Sequence, residues 1–382
     1  MAVFGLAIAE RLTALGHDVE LVVSAVRGYH GPARVVPVTP WSRVYLWLLG
    51  RLAAAGVISE RRKRYLEEVA FDRLCRSRVV DGLDLVVSTN SFAPRTLGRA
   101  RDGGVPVVLV PGNPNDVVLG AMTSELARRH GIHVEDAYTD PARRELYRTT
   151  VAAASLVLCY SRVIDRSFAD LVPAERRRVH PALLKFKPLA AESRYPDRIV
   201  FGYLGYSVLL KGLDVLLAAW ERIHQSTDAR LVVGGGIDAS VRPIVDKYQR
   251  DRGRYRIDFT GPVDDAGRFF GACSVGVVPS LLDGQPAVAV EAMALARPVI
   301  VTDGCGVADF VADRESGRVV PAGDADALAE AMQWFIDARD RIPACGRRAR
   351  AAYDAFDFSA YTSAVVDDIL DHAAVRPSAH VS

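Results

Sequence analysis

The feature that most constrains this chain is an alternation, between residues 199 and 301, of short apolar runs with longer amphipathic ones. The apolar runs fall at 199–204, 230–233, 256–260, 275–278 and 298–301. The stretches between them, 213–223, 242–248, 266–272 and 288–295, carry apolar residues at helical spacing. A strand covered on both faces shows no polar side, so it appears as an unbroken run of Val, Ile and Leu. Such strands separated by helices imply a parallel sheet in a layered α/β domain.

A weaker version of the pattern occupies the first half. Val3, Phe4, Ala7, Ile8, Leu12 and Leu15 form one apolar helical face, Gly16 is placed to cap it, and a strand is expected at 19–23. Further strands are expected at 85–87, 105–110 and 156–159, with helices at 62–74 and 143–154. A chain of 382 residues exceeds what one core usually organises. Two domains are therefore expected, joined where Pro173, Pro181, Pro188 and Pro196 gather with Glu192 and Asp197. The division is 1–185 for an acceptor-side domain, truncated at its start, and 186–358 for a second domain. Helical pattern returns at 325–335, 345–354 and 360–372, so 359–382 forms a final helix and a loose tail.

Composition excludes several classes. Forty-eight basic residues against 46 acidic ones leave no large field for nucleic acid. Five scattered cysteines show no metal-ligand spacing and fit a reducing compartment, the cytoplasm. His130 and His133 are expected as loop residues around Gly131. No apolar stretch reaches the roughly 20 residues that cross a bilayer, and Glu10 and Arg11 interrupt the N-terminal apolar run, against a signal peptide. The bases Arg61 to Arg64 are expected at a solvated helix end, with an anionic acceptor or membrane surface as the alternative. Trp41, Tyr45, Leu48 and Leu52, at helical spacing, are expected in the core, with a membrane- or acceptor-facing patch as the alternative.

The residues that carry chemistry lie in the second half. Pro279-Ser280-Leu281-Leu282-Asp283-Gly284-Gln285-Pro286 follows a strand, and a helix bearing Glu291 begins near Pro286. A glycine turn into a helix offers unpaired backbone N–H groups to an anion. Asp283 on the loop and Glu291 just over one turn into the helix can face one crevice, where paired sugar hydroxyls suit a carboxylate. The alternative is a capped helix with Glu291 paired to a surface base. Upstream, Gly202-Tyr203-Leu204-Gly205-Tyr206 leads to Lys211-Gly212, placing a lysine before a helix where it can neutralise a diphosphate. The glycines lack dinucleotide spacing, against a dehydrogenase. Asp324 and Asp326 outline a metal motif, but Asp324 is better placed as an N-cap.

These residues resemble glycosyltransferase family 4, the retaining, metal-independent transferases of GT-B fold. The match runs through Asp283-Gly284-Gln285-Pro286, Glu291-Ala292-Met293-Ala294 and Arg297-Pro298-Val299. It extends to Gly234-Gly235-Gly236, Phe259-Thr260-Gly261, Glu315-Ser316-Gly317 and Pro321-Ala322-Gly323-Asp324. The resemblance implies two Rossmann-like α/β domains with an interdomain cleft. It implies that Glu291 holds the ribose hydroxyls, that Asp283 with the Gly284, Gln285 and Pro286 backbone holds the sugar, and that Lys211 binds phosphate. Gly205, Tyr206 and Gly234 would line the donor site. After Phe356-Asp357-Phe358 a helix would cross back to brace the first domain.

The chain departs from the family at four points. Asp283 stands where glutamate is usual, and Tyr206 stands where arginine is usual. The histidine expected after the strand at 105–110 is replaced by Pro111-Gly112-Asn113-Pro114-Asn115-Asp116, in which Asn113, Asn115 or Asp116 could supply a polar contact. The chain begins inside the family's first helix, so its first strand and glycine-rich loop are missing. Glu145 resembles an acceptor-side acid, or else lies on a solvated helix face, and Ser161 follows the last strand of the half. The function implied is retaining transfer from a nucleotide-diphosphate-sugar to a glycan, lipid-linked or small-molecule acceptor. No cofactor or metal is expected, nor nucleic acid, and the location is cytoplasmic with peripheral membrane contact as an option. The alternative is a weak or inactive relative that binds a nucleotide or a partner.

Overall fold

The computed structural model describes residues 2–24, 29–39, 41–89, 91–134, 136–185 and 195–374. The first half runs α1 (Ala2–Ala14), β1 (Glu20–Val23), β2 (Arg34–Pro37), α2 (Ser42–Ala54), α3 (Glu60–Cys75), β3 (Val86–Ser88) and α4 (Pro94–Asp102). It continues with β4 (Val107–Leu109), α5 (Asp116–His130), α6 (Pro141–Ala153), β5 (Leu156–Cys159), α7 (Arg162–Phe168) and β6 (Arg177–Val179). The second half runs β7 (Val200–Leu204), α8 (Leu213–Ile223), β8 (Arg230–Gly234), α9 (Arg242–Arg250), α10 (Arg252–Tyr255), β9 (Ile257–Gly261) and α11 (Ala266–Gly271). It closes with β10 (Val275–Val278), α12 (Ala287–Ala294), β11 (Val299–Thr302), β12 (Gly317–Val320), α13 (Ala325–Asp337), α14 (Arg341–Ala355) and α15 (Phe358–Ala374).

The second sheet has the order β12-β11-β10-β7-β8-β9, every pair parallel. This is the doubly wound Rossmann order, which reverses direction between β7 and β10. Its strands are covered on both sides. Phe201, Trp220, Leu231 and Met332 belong to one core cluster, while Val290, Met293, Val299 and Phe270 belong to another. The expected elements of this half all appear, with ends shifted by a few residues, and α10 and β12 are added.

In the first half β3-β4-β5-β6 form a parallel sheet of four strands, while β1 and β2 pair only with each other. Among the described residues no strand joins the two sheets. Helix α1 packs its Phe4, Ile8 and Leu12 into the core of the four-stranded sheet, and Gly16 takes the left-handed conformation (φ 91°) that ends it. The helix α2 forms where Trp41, Tyr45, Leu48 and Leu52 showed helical spacing, whereas α4, α5 and α7 and the strands β2 and β6 were not placed from sequence. Trp41 and Leu48, expected in the core, are exposed.

Helix α15 returns from the second half to the first. Phe358 and Tyr361 lie against Phe4, and Val365, Val366 and Ile369 enter the first core. The expected boundary at 185 and 186, with Pro188 and Glu192, meets the segment 186–194, and most of the expected loose tail is 375–382. Both segments lie outside the described residues. Asp324 caps α13 by accepting from the Asp326 and Ala327 amides, which is the N-cap role expected of it. All five cysteines are buried and free.

Candidate functional site

Open α/β sheets hold ligands at the carboxyl ends of strands where the order reverses. Here that point lies between β7 and β10. The chain leaving β7 makes one 3-10 turn, Leu209–Lys211, before α8, and the chain leaving β10 passes through Asp283 into α12. Two contacts lock these loops together. The Leu281 amide donates to the Leu210 carbonyl at 2.8 Å. Gly212, at φ 67°, lies so close to the Pro279 carbonyl that a β-carbon would collide with it, so both conformation and space demand glycine.

The consequence is that Lys211 Nζ stands 2.5 Å from Asp283 Oδ2. The Asp283 backbone is itself fixed, its amide donating to Gly304 and its carbonyl accepting from Gly306. The lysine side chain is 39% exposed but the aspartate only 13%, so solvent reaches the pair mainly from the lysine side.

Glu291 is the fifth residue of α12 and is half-buried. Among the described residues nothing donates a hydrogen bond to its carboxylate, so the alternative of pairing with a surface base is not what the structure displays. Burial, and then repulsion from Asp265 at the start of α11, raise its pKa above the ordinary glutamate value. A carboxylate desolvated without a partner is costly unless a ligand completes it.

The glycine loops stack beside these groups. The Gly205 amide donates to Gly234, and the Gly235 amide to Gly261. Gly234 is buried, and a β-carbon there would press on Phe269, Leu204 and Val263, so packing accounts for this glycine. Tyr206 is exposed and donates its hydroxyl to Asp238 at 2.8 Å, with its ring against Gly236. No positive charge enters from that position.

The loop beyond Asp283 faces the first half of the chain. A β-carbon on Gly284 would lie 2.9 Å from the Tyr160 hydroxyl and 2.9 Å from Ile164 Cδ1. Gln285 donates through Nε2 to the Ala182 carbonyl, and its buried Oε1 is without a partner among the described residues. Pro286 stands immediately before α12. Gly284 and Gln285 were expected around the transferred sugar; here they form the joint between the halves.

Tyr160 was not found from sequence, because an aromatic residue after an apolar strand looks like core. It is buried, and it donates to the Gly112 carbonyl at 2.6 Å. It thereby ties the loop carrying Asn113 to the loop carrying Asp283. Burial, then the Asp283 charge, push its phenol pKa up. Asn113 is exposed on that loop. Asn115 is occupied in capping α5, accepting from the Val117 amide, and Asp116 is buried against Arg143 at 2.6 Å. Glu145 lies on the exposed face of α6, 3.5 Å from Arg148, and no described contact brings it to Lys211 or Asp283. Ser161 caps α7 and abuts Gly306.

Other contacts cross the cleft. The Arg162 amide donates to Asp309 at 3.1 Å, and Arg166 donates to the Asp303 carbonyl at 3.0 Å. His130 is not a loop residue as expected; it ends α5 and lies 2.8 Å from Asp214 in α8. Among the described residues no group of three or more His, Cys, Asp or Glu side chains is arranged to hold a metal ion.

Known proteins resemble this chain in sequence and in fold. The family model described as glycosyl transferases group 1 matches residues 198–338. D-inositol 3-phosphate glycosyltransferase 2 of Catenulispora acidiphila is 31% identical over 252 residues, covering 61% of this chain and 57% of that protein. The α-D-kanosaminyltransferase of Streptomyces kanamyceticus is 28% identical over 243 residues, covering 58% and 61%. The chain thus spans about three fifths of the length of these two curated relatives. Among solved structures, sucrose-phosphate synthase from Thermosynechococcus elongatus superposes with a TM-score of 0.68 at 20% identity, covering 97% of this chain and 93% of that one. Anabaena HepE in complex with UDP gives 0.61 at 16% identity, covering 96% of each. At these identities the superpositions establish the fold: two Rossmann-like α/β domains around an interdomain cleft, the GT-B arrangement. The chain is similar in sequence to glycosyltransferases.

Proposed function

We propose that this chain transfers a sugar from a nucleotide-diphosphate-sugar to an acceptor alcohol, with retention of anomeric configuration and without a metal. The observation that carries the proposal is the set at the switch point: Lys211 against Asp283, with Glu291 half-buried and uncommitted on the following helix. Glu291 accepts from the ribose hydroxyls. The diphosphate takes Lys211 from Asp283, and Asp283 is released to accept from the sugar. The C–O bond to the diphosphate then breaks and its electron pair leaves on the phosphate oxygen. Lys211 and the loop N–H groups stabilise that charge as it develops. The acceptor oxygen bonds to the anomeric carbon on the same face, and its proton passes to the departing diphosphate. The contacts of Tyr160, Gly284 and Gln285 keep the halves together, excluding water that would hydrolyse the donor.

The acceptor is a glycan, a lipid-linked carrier or a small molecule, received on the side of Asn113. Five buried, free cysteines favour a reducing, cytoplasmic setting. Titration calorimetry with uridine and guanosine diphosphates, followed by product assay with the matching sugar donors, tests the reading. Binding of one diphosphate and turnover of its sugar is the expected result; binding of neither overturns it.

A second reading is a nucleotide-binding relative with little turnover. It is favoured by Tyr206, whose hydroxyl is engaged with Asp238 where the resembled family carries an arginine. Diphosphate binding with neither donor hydrolysis nor transfer across an acceptor panel would establish it.

A further inference from the structure

We propose that a cavity between the two halves, separate from the Lys211, Asp283 and Glu291 set, binds one uncharged sugar ring. Water centres can occupy about 80 Å³ of it. At about 10–15 Å³ for each, that is room for roughly five to eight waters, the bulk of a single monosaccharide. One wall is α5 and the turn after it, through Thr123 and Asp136. The other is the loop before Lys211, through Val208 and Leu209, with Asp238 and Ser240 beyond β8. The clasp of His130 at the end of α5 on Asp214 in α8, at 2.8 Å, holds the two walls together. None of the lining residues belongs to the donor set, so the inference stands apart from the transferase reading.

The chemistry of the walls selects the ligand. Thr123 is 3% exposed, and its buried hydroxyl has no hydrogen-bond partner among the described residues. A buried hydroxyl is destabilising while unpaired, and a ligand hydroxyl in the cavity completes it. Asp136 commits one oxygen to the Tyr138 amide at 3.0 Å, and a carboxylate offers about four lone-pair sites. Asp238 accepts from Tyr206, the residue in the usual arginine's place, at 2.8 Å, and from the Ser240 amide and hydroxyl at 2.9 and 2.6 Å. Burial works to raise the Asp238 pKa, but these donors outweigh it and hold it below the ordinary aspartate value. Its charge is therefore met within the chain and calls for no cation. Ser240 Oγ, with its proton given to Asp238, faces a ligand as an acceptor. No lysine, arginine or histidine is among the lining residues. Acceptors call for ligand O–H groups, the Val208 and Leu209 side suits the C–H face of a ring, and two carboxylates repel a phosphate.

The test is a saturation-transfer NMR titration of the full chain, without nucleotide, using D-glucose, D-mannose and the 6-phosphate of each. The expected result is saturable binding of at least one neutral sugar, about tenfold or more stronger than its 6-phosphate. Asp136→Asn keeps the shape of the wall and lowers that affinity about fivefold or more. Thr123→Val exchanges the unpaired hydroxyl for a methyl group. It lowers the affinity by a similar factor while its thermal midpoint does not fall, whereas a threonine that only packs would leave sugar binding unmoved. Failure of both neutral sugars to saturate overturns the proposal. So does a 6-phosphate that binds as tightly as its parent sugar, or either variant binding the sugar as the wild type does.

Discussion

Tyr160 and Gly284 belong to opposite halves of the chain, yet a β-carbon on the glycine would lie 2.9 Å from the tyrosine hydroxyl, which itself donates to Gly112. Tyr160→Phe leaves the Gly112 carbonyl without this donor. We expect a loss of about 1–2 kcal/mol in urea unfolding. Diphosphate affinity, which rests on the second half, is expected to hold, while transfer falls because the loop carrying Asn113 loses its tie. Equal losses in affinity and transfer would contradict this division of labour.

Glu291→Gln separates the two consequences of a raised pKa. Burial and Asp265 make the folded protein hold this proton more tightly than the unfolded chain does. Wild-type stability therefore falls relative to the variant as pH rises from the ordinary glutamate value through the raised one, and it remains lower at neutral pH. The variant should be the more stable protein at pH 7 and the two should converge in acid, as measured by urea unfolding across pH. Its diphosphate affinity should drop tenfold or more, since a charged acceptor contributes about 1.5–3 kcal/mol.

Lys211→Met leaves Asp283, only 13% exposed, without its cation and is expected to cost about 1–3 kcal/mol in urea unfolding. Calorimetry should show its effect in the ligand: the preference for nucleoside diphosphate over nucleoside collapses, and the salt dependence of binding flattens. Gly212→Ala reaches the same end by another route. It strains a left-handed residue and collides with Pro279, so both stability and diphosphate binding should fall.

Arg143 supports the loop from beneath. Only 3% of its side chain is exposed, and it holds Asp116 at 2.6 Å and Glu68 at 2.7 Å between the rings of Phe92 and Tyr138. Arg143→Ala abandons two carboxylates and should cost about 3–5 kcal/mol. Adding Asp116→Asn should recover part of that loss in urea unfolding.

The second half was largely legible in the sequence because its strands are covered on both faces, and runs such as Val275–Val278 and Val299–Thr302 admit few other interpretations. What sequence could not convey was adjacency. Lys211 meets Asp283 only because β7 and β10 are neighbours and Gly212 lets Pro279 approach, and neither fact is local. The same limit governs the first half. Periodicity in α2 announced an apolar face without saying what covers it. Arg143, at the start of the helix expected at 143–154, is buried because Glu68 and Asp116 converge on it from elements far away in the chain.

The return of α15 to the first half means that the polypeptide passes between the two bodies twice. One passage lies between Ala182, in the first half's core, and Leu183, in the second half's. The other runs through Phe356, which contacts Phe310 on one side and Tyr361 on the other. A single tether would let the lobes wander and twist; two fixed passages act as a pair of door pins, permitting a swing about the line between them. Cutting the chain before α15 would remove one pin and leave the apolar seat of Val365 and Ile369 bare.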